Sequence, residues 1–167
     1  MKPFYMQLPE WGMCISWTFI QIGSGFMDYS CRIKPEDVRD YATARLEAEP
    51  ECGACLSLLL ADTDAEVLRI VRDLSEQECS SGSVSMETEN RKWIAYALYQ
   101  FIYDLPAEPS FDDLLMLGDL WCYFGFPTHY PWDPRADEYA KVTDVYAMIE
   151  THRTWLETEL AALKQSL

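Results

Sequence analysis

The chain has 167 residues, 28 of them acidic and 13 basic, for a formal net charge of −15. Hydrophobic residues make up 49% of it, with 6 Trp, 10 Tyr and 7 Phe, so there is material for a core and no resemblance to a disordered acidic tail. The negative excess also argues against direct binding to nucleic-acid phosphates, which needs a basic face.

Met1 to Met13 carries Pro3 and Pro9 and reads as irregular. Ile15, Phe19 and Ile22 recur at helical spacing and predict a helix ended by Gly23. Pro35-Glu36-Asp37 has the form of a first helical turn, because proline needs no donor there and acids suit the positive helix end. Val38, Tyr41, Ala42 and Leu46 make one face of that helix, which should stop before Pro50. Cys52 to Leu60 is strongly apolar and predicts a short buried helix. Thr63-Asp64-Ala65-Glu66 has capping-box spacing, followed by Val67, Ile70, Val71 and Leu74 on one face.

Ser75 to Thr88 turns polar around Ser80-Ser81-Gly82-Ser83, which predicts a flexible loop at about 78–88. A helix is predicted from about Glu89 to Tyr103, with a wide face of Trp93, Ile94, Ala97, Leu98, Phe101 and Ile102. Ser110-Phe111-Asp112-Asp113 is a second capping box, opening a helix through Leu114, Leu117, Trp121 and Phe124. Gly125 to Pro134 holds three prolines and the aromatics Phe126, Tyr130 and Trp132, and cannot be regular helix. The last helix follows Tyr139, Val142, Tyr146, Ile149, Arg153, Leu156, Leu160, Leu163 and Leu167, a seam that only Arg153 interrupts. No hairpin signal or sustained alternation occurs. The expected fold is all-α: residues 1–167 as a single acidic domain of about six to seven helices, packed as antiparallel pairs, with a long C-terminal helix.

Six cysteines at 14, 31, 52, 55, 79 and 122 could form three disulfides in a secreted chain, but a core of this size needs no such staples. The N-terminus has no basic patch before an apolar run, and no stretch approaches the roughly 18 apolar residues of a membrane span. The expectation is a soluble cytoplasmic protein with reduced thiols and no contact with a membrane.

Catalytic signatures are sparse. Cys52-Gly53-Ala54-Cys55 is a Cys-x-x-Cys motif, yet the strand–helix–strand context of redox proteins is missing. Glu47, Glu49 and Glu51 upstream would raise a thiol pKa. A zinc site would need two further ligands, and neither a second such motif nor a histidine pair is present. Buried structural thiols are therefore expected. His129 sits in the proline-aromatic loop, where a binding role fits, and His152 flanks the last seam, where a packing or surface role is expected. No nucleophile elbow, phosphate loop or dinucleotide fingerprint occurs. Asp112-Asp113 and Asp137-Glu138 could hold a cation, but both stand where helix starts favour acids. The sequence thus predicts no enzyme, no cofactor and no metal. Tyr96, Tyr99 and Tyr103 step along one helix as a core stripe or, if exposed, a protein-binding face.

Charge is the most informative feature. Lys34 to Glu78 holds twelve acids and five bases, and Asp104 to Glu138 eight acids against Arg135 alone. Such a surface is either a solubilising one or one matched to a basic partner, whose encounter it would speed and orient.

Ile15-Ser16-Trp17-Thr18-Phe19-Ile20 with Gly23, Pro35-Glu36-Asp37-Val38 running to Tyr41-Ala42, Lys92-Trp93, and Tyr123-Phe124-Gly125-Phe126-Pro127 with Tyr130-Pro131 resemble an uncharacterised bacterial family, a domain of unknown function. The likeness covers nearly the whole chain. Small acidic proteins of this type resemble the immunity proteins of polymorphic toxin and contact-dependent growth inhibition systems. The resemblance implies a cytoplasmic immunity protein that binds a cognate basic toxin domain, expected to be a nuclease, and blocks its active or substrate-binding site. Tyr130, Trp132, Asp133, Asp137 and Glu138 are the expected contact cluster, since they set aromatics beside acids. Two other classes fit the same residues: a nucleic-acid mimic of the anti-restriction or anti-CRISPR type, and an enzyme with a carboxylate-bound metal.

Overall fold

A computed structural model describes residues 2–25, 31–125, 131 and 145–165. Among the described residues the chain is all-helical, with eight helices: α1 (Phe4–Glu10), α2 (Trp17–Ser24), α3 (Pro35–Ala48), α4 (Gly53–Leu59), α5 (Asp64–Ser81), α6 (Met86–Tyr103), α7 (Phe111–Tyr123) and α8 (Val145–Gln165). The chain divides into two compact units, Lys2–Trp93 and Ile94–Leu167, so the first part of α6 belongs to one and the rest to the other. None of these helices is long and apolar enough to cross a membrane.

Local chemistry accounts for the helix starts. Pro35 opens α3, and the Asp37 carboxylate accepts from the Lys34 backbone N–H at 2.8 Å. Thr63 accepts from Glu66 N–H, but the Glu66 carboxylate turns to the N–H of Asp62, so this box is only half closed. At α7 the reciprocal pair is complete: Ser110 Oγ accepts from Asp113 N–H, and Asp113 accepts from Ser110 N–H at 2.7 Å.

Several expectations need correction. The N-terminal stretch read as irregular contains α1, because Phe4, Gln7 and Leu8 bury one face, with Phe4 against Phe19 and Tyr41. The loop expected at about 78–88 is confined to residues 82–85. Helix α5 runs on to Ser81 and ends at Gly82 in a left-handed conformation, and α6 starts at Met86. Helix α4 is not buried all round: Cys55 and Leu58 are inside, while Leu56 and Leu60 are 51% and 70% exposed. The seam of α8 passes through His152, fully buried between Ile149 and Leu156, and Arg153 stands beside it, paired with Glu150.

The N-terminal unit is built around α2. Its core includes Phe4, Leu8, Phe19, Ile20, Val38, Leu58, Val67 and Trp93. Gly23 lies inside α2 and does not end it. A Cβ there would meet Trp93 Cζ3 at 2.6 Å and Ile33 Cδ1 at 2.7 Å. The helix can sit this close to its neighbours only without a side chain. Gly23→Ala is therefore expected to lower stability by about 1–3 kcal/mol in urea denaturation, despite alanine's better helix propensity.

The N-terminus of α2 is held by charge. The N–H groups of Trp17 and Thr18 donate to the Glu78 carboxylate at 3.0 and 2.9 Å. Ser16 Oγ accepts from Phe19 N–H and donates to Glu89 at 2.6 Å. Glu89 also pairs with Lys92 at 2.7 Å, and both side chains are almost wholly buried. Two carboxylates from α5 and α6 thus meet the positive end of α2.

In the C-terminal unit α7 buries Leu114, Leu117, Leu120 and Trp121, and α8 buries Ile149, His152, Leu156 and Leu163. Trp121 packs edge-on against Trp155, with ring centroids 4.9 Å apart, and lies 6.1 Å from His152.

Candidate partner-binding surface

Helix α7 has two unlike sides. Leu114, Leu117, Gly118 and Trp121 follow the helical repeat and face the core. On the outer side Phe111, Leu115, Asp119 and Tyr123 recur every four residues. Phe111, Leu115 and Tyr123 are 44%, 40% and 47% exposed, and Met116 next to them is 47% exposed. Helix α7 thus carries an exposed apolar stripe on the side away from its core.

The acids on this side complete the pattern. Asp112 and Asp113 lie in the first turn, where helix polarity favours them, and Asp113 serves as a cap. Asp119 has no such local reason, because it is exposed in the C-terminal half of the helix, where carbonyls already concentrate negative charge. Asp104 and Glu108 are exposed on the approach to α7. No Lys or Arg among the described residues pairs with Asp104, Glu108, Asp112 or Asp119. The sequence explains why: it has no basic residue between Lys92 and Arg135. The face therefore offers apolar side chains set among carboxylates that no described Lys or Arg pairs.

The tyrosine stripe of α6 divides along its length. Tyr96 is buried, Tyr99 half-buried and Tyr103 exposed at 63%, with the last two rings stacked at 4.2 Å. The contact cluster expected from sequence, Tyr130, Trp132, Asp133, Asp137 and Glu138, lies outside the described residues, as does His129. Within the described residues, the exposed face is made by Phe111, Leu115, Met116, Asp119 and Tyr123. Their signal was in the sequence: the buried positions Leu114, Leu117 and Trp121 leave these residues off the core face.

The N-terminal unit carries a smaller surface of related kind. Leu56 and Leu59 on α4 and Leu60 at its C-cap are exposed, with exposed Glu47 and Glu51 on the segment before it and Asp62 after it. Arginines have already claimed two neighbouring acids: Glu49 pairs with Arg45 and Asp64 with Arg39.

The remaining polar clusters have structural roles. The Glu78 and Glu89 carboxylates are consumed by α2 and Lys92. His152 donates from Nδ1 to the Met148 carbonyl at 2.7 Å, and burial pushes its pKa down from 6.5 to about 4. Cys31 is buried, which pushes its thiol up to about 11. Among the described residues no group of three or more His, Cys, Asp or Glu side chains is placed to hold a metal ion.

An all-helical acidic protein with an apolar, carboxylate-rich helix face is thus defined by its architecture and surface. The chain belongs to a bacterial family described as "Uncharacterized protein conserved in bacteria (DUF2247)", whose model matches residues 10–160. No curated protein and no solved structure matches it.

Proposed function

We propose that this protein is an immunity protein, which binds a cognate basic toxin domain, a nuclease, and blocks its active or substrate-binding site. The outer face of α7 carries the reading. A nuclease grips phosphates with Lys and Arg. Asp104, Glu108, Asp112 and Asp119 would meet those cations, and Phe111, Leu115, Met116 and Tyr123 would anchor the contact. Each apolar anchor fully removed from water adds roughly 1.5–3 kcal/mol. The carboxylates act chiefly on encounter rate and orientation. Tyr130, Trp132, Asp133, Asp137 and Glu138 follow on the same stretch of chain, and we assign them to the same contact.

The lack of any basic residue between Lys92 and Arg135 also suits a nucleic-acid mimic that occupies a nucleic-acid-processing machine. The apolar residues interleaved with the acids favour a protein groove instead, since phosphate mimicry needs carboxylates and gains nothing from Phe111 or Leu115.

Co-purification with the toxin domain encoded beside it tests the proposal. Asp112→Lys with Asp119→Lys is expected to slow association about tenfold at low salt, with the gap closing as salt screens the charges. Phe111→Ala is expected to speed dissociation with little effect on association. Failure to bind any neighbour-encoded toxin domain would overturn the immunity reading. Binding to a restriction or CRISPR complex in competition with DNA would replace it with mimicry.

A further inference from the structure

The sequence singles out Cys52 and Cys55, and the surface on α7 does not use them. In the structure all six cysteines are free thiols, and these two are in contact, with Cys52 Sγ donating to Cys55 Sγ at 2.7 Å. Their environments differ. Cys52 is half-buried, at the point where the chain enters α4, whereas Cys55 is wholly buried one turn on. One thiol is thus open to a reagent in solution and the other is reachable only through the first. Three residues apart in a helical turn, the two Cα atoms lie about 5 Å from each other, within the span a disulfide bridges without moving backbone. Helix α3 packs against α4. Arg45 contacts Tyr41 and Glu49 and lies over the Trp17 ring.

We propose that Cys52 and Cys55 form a reversible redox site, which exchanges with low-molecular-weight disulfides to close an intramolecular disulfide. Cys52, as thiolate, attacks one sulfur of R–S–S–R, and one RS⁻ leaves and takes up the proton that Cys52 released. The Cys55 sulfur then attacks the Cys52 sulfur of the mixed disulfide. Its proton passes to the second departing RS⁻. The two protein thiols are oxidised by two electrons, and the small disulfide is reduced to two RSH. Burial above all, and then the negative charge that the adjacent Cys52 sulfur carries as thiolate, push the Cys55 thiol up to about 12. Cys55 is consequently a poor first nucleophile, and it acts as the resolving thiol once contact with the oxidised Cys52 sulfur is made.

The test uses the full chain equilibrated with oxidised and reduced glutathione in varied ratio, then acid-quenched, alkylated and digested with trypsin. Cys52 and Cys55 fall in one fragment, Leu46–Arg69. That fragment is expected to lose two hydrogens with a single midpoint and to recover them in excess reduced glutathione. In Cys55→Ser the fragment is expected to stop as the glutathione adduct on Cys52. In Cys52→Ser, Cys55 is expected to stay a thiol. The exposed Cys14 and Cys122 provide the internal comparison, since each can form only an adduct or an intermolecular bond. The proposal fails if Leu46–Arg69 remains a dithiol while Cys14 and Cys122 react. It also fails if the wild-type fragment accumulates as an unresolved adduct. Neither outcome depends on what the α7 face binds.

Discussion

Replacing Glu89 by alanine is expected to lower the stability of the N-terminal unit by about 3–5 kcal/mol. Lys92 and Glu89 are 4% and 3% exposed, one turn apart on α6. Glu89 accepts from Lys92 Nζ on one oxygen and from Ser16 Oγ on the other. Lys92 also donates to the Cys14 carbonyl at 3.4 Å. Truncating Glu89 strands a buried ammonium and strips the Ser16 hydroxyl of its acceptor at the start of α2. The cost is mainly that of the unpaired charge, so removing both charges is expected to restore most of it. Glu89→Met with Lys92→Met should lie within about 1–2 kcal/mol of wild type, because a well-packed apolar pair replaces a desolvated ionic one. Urea denaturation of the two single variants and the double variant reads the cycle. A Glu89→Ala variant as stable as wild type would show that the pair is solvated. A double variant as damaged as the single would show that the loss comes from packing.

The second large effect is a pH dependence from one residue of α8. His152 is wholly buried beside Trp121, and its Nε2 finds no hydrogen-bond partner among the described residues. Burial disfavours the imidazolium, so the folded protein takes up this proton near pH 4, whereas the unfolded chain takes it up near 6.5. Between those values the unfolded state binds more protons, so stability falls as pH falls. The contribution is fully present above about pH 6.5 and is lost towards pH 4, amounting to about 3 kcal/mol over the window at roughly 1.4 kcal/mol per pH unit. Between pH 7 and pH 5 the wild type is expected to lose about 2 kcal/mol more than His152→Leu, in parallel urea titrations. The comparison with the variant matters because protonating carboxylates relieves self-repulsion in so acidic a chain and acts in the opposite direction. Equal pH slopes for both proteins would show that His152 is hydrated or already charged.

Helix starts were legible where one residue type does one job. Pro35, Thr63 and Ser110 each announce an N-terminus through a missing donor or a capping oxygen, and all three open helices. The errors came where a distant partner decided. Ser75 to Ser81 is too polar to predict helix, yet Ser75 is buried with its hydroxyl within hydrogen-bond distance of Thr18 and Gln21, and Glu78 binds the N-terminus of α2. About sixty residues separate those partners, so no local pattern records them. The same holds for Gly23, which resembled a helix stop and is instead a point of close packing. On α8 the alternating spacing admitted either Arg153 or His152 to the seam, and burial selects the imidazole, which desolvates at lower cost than a guanidinium. At the candidate site the acidic blocks were readable as composition. Which acids are already paired was not, because Arg39 and Asp64 meet only in the folded chain, across two helices.

The outer face of α7 has one practical consequence for anyone mapping it. Trypsin releases everything from Trp93 to Arg135 as a single fragment, since no cleavable residue lies between. Amine-directed crosslinkers and lysine acylation are blind to the same stretch. Footprinting of this face therefore depends on carboxylate-directed labels at Asp112 and Asp119, or on oxidation at Met116 and Tyr123.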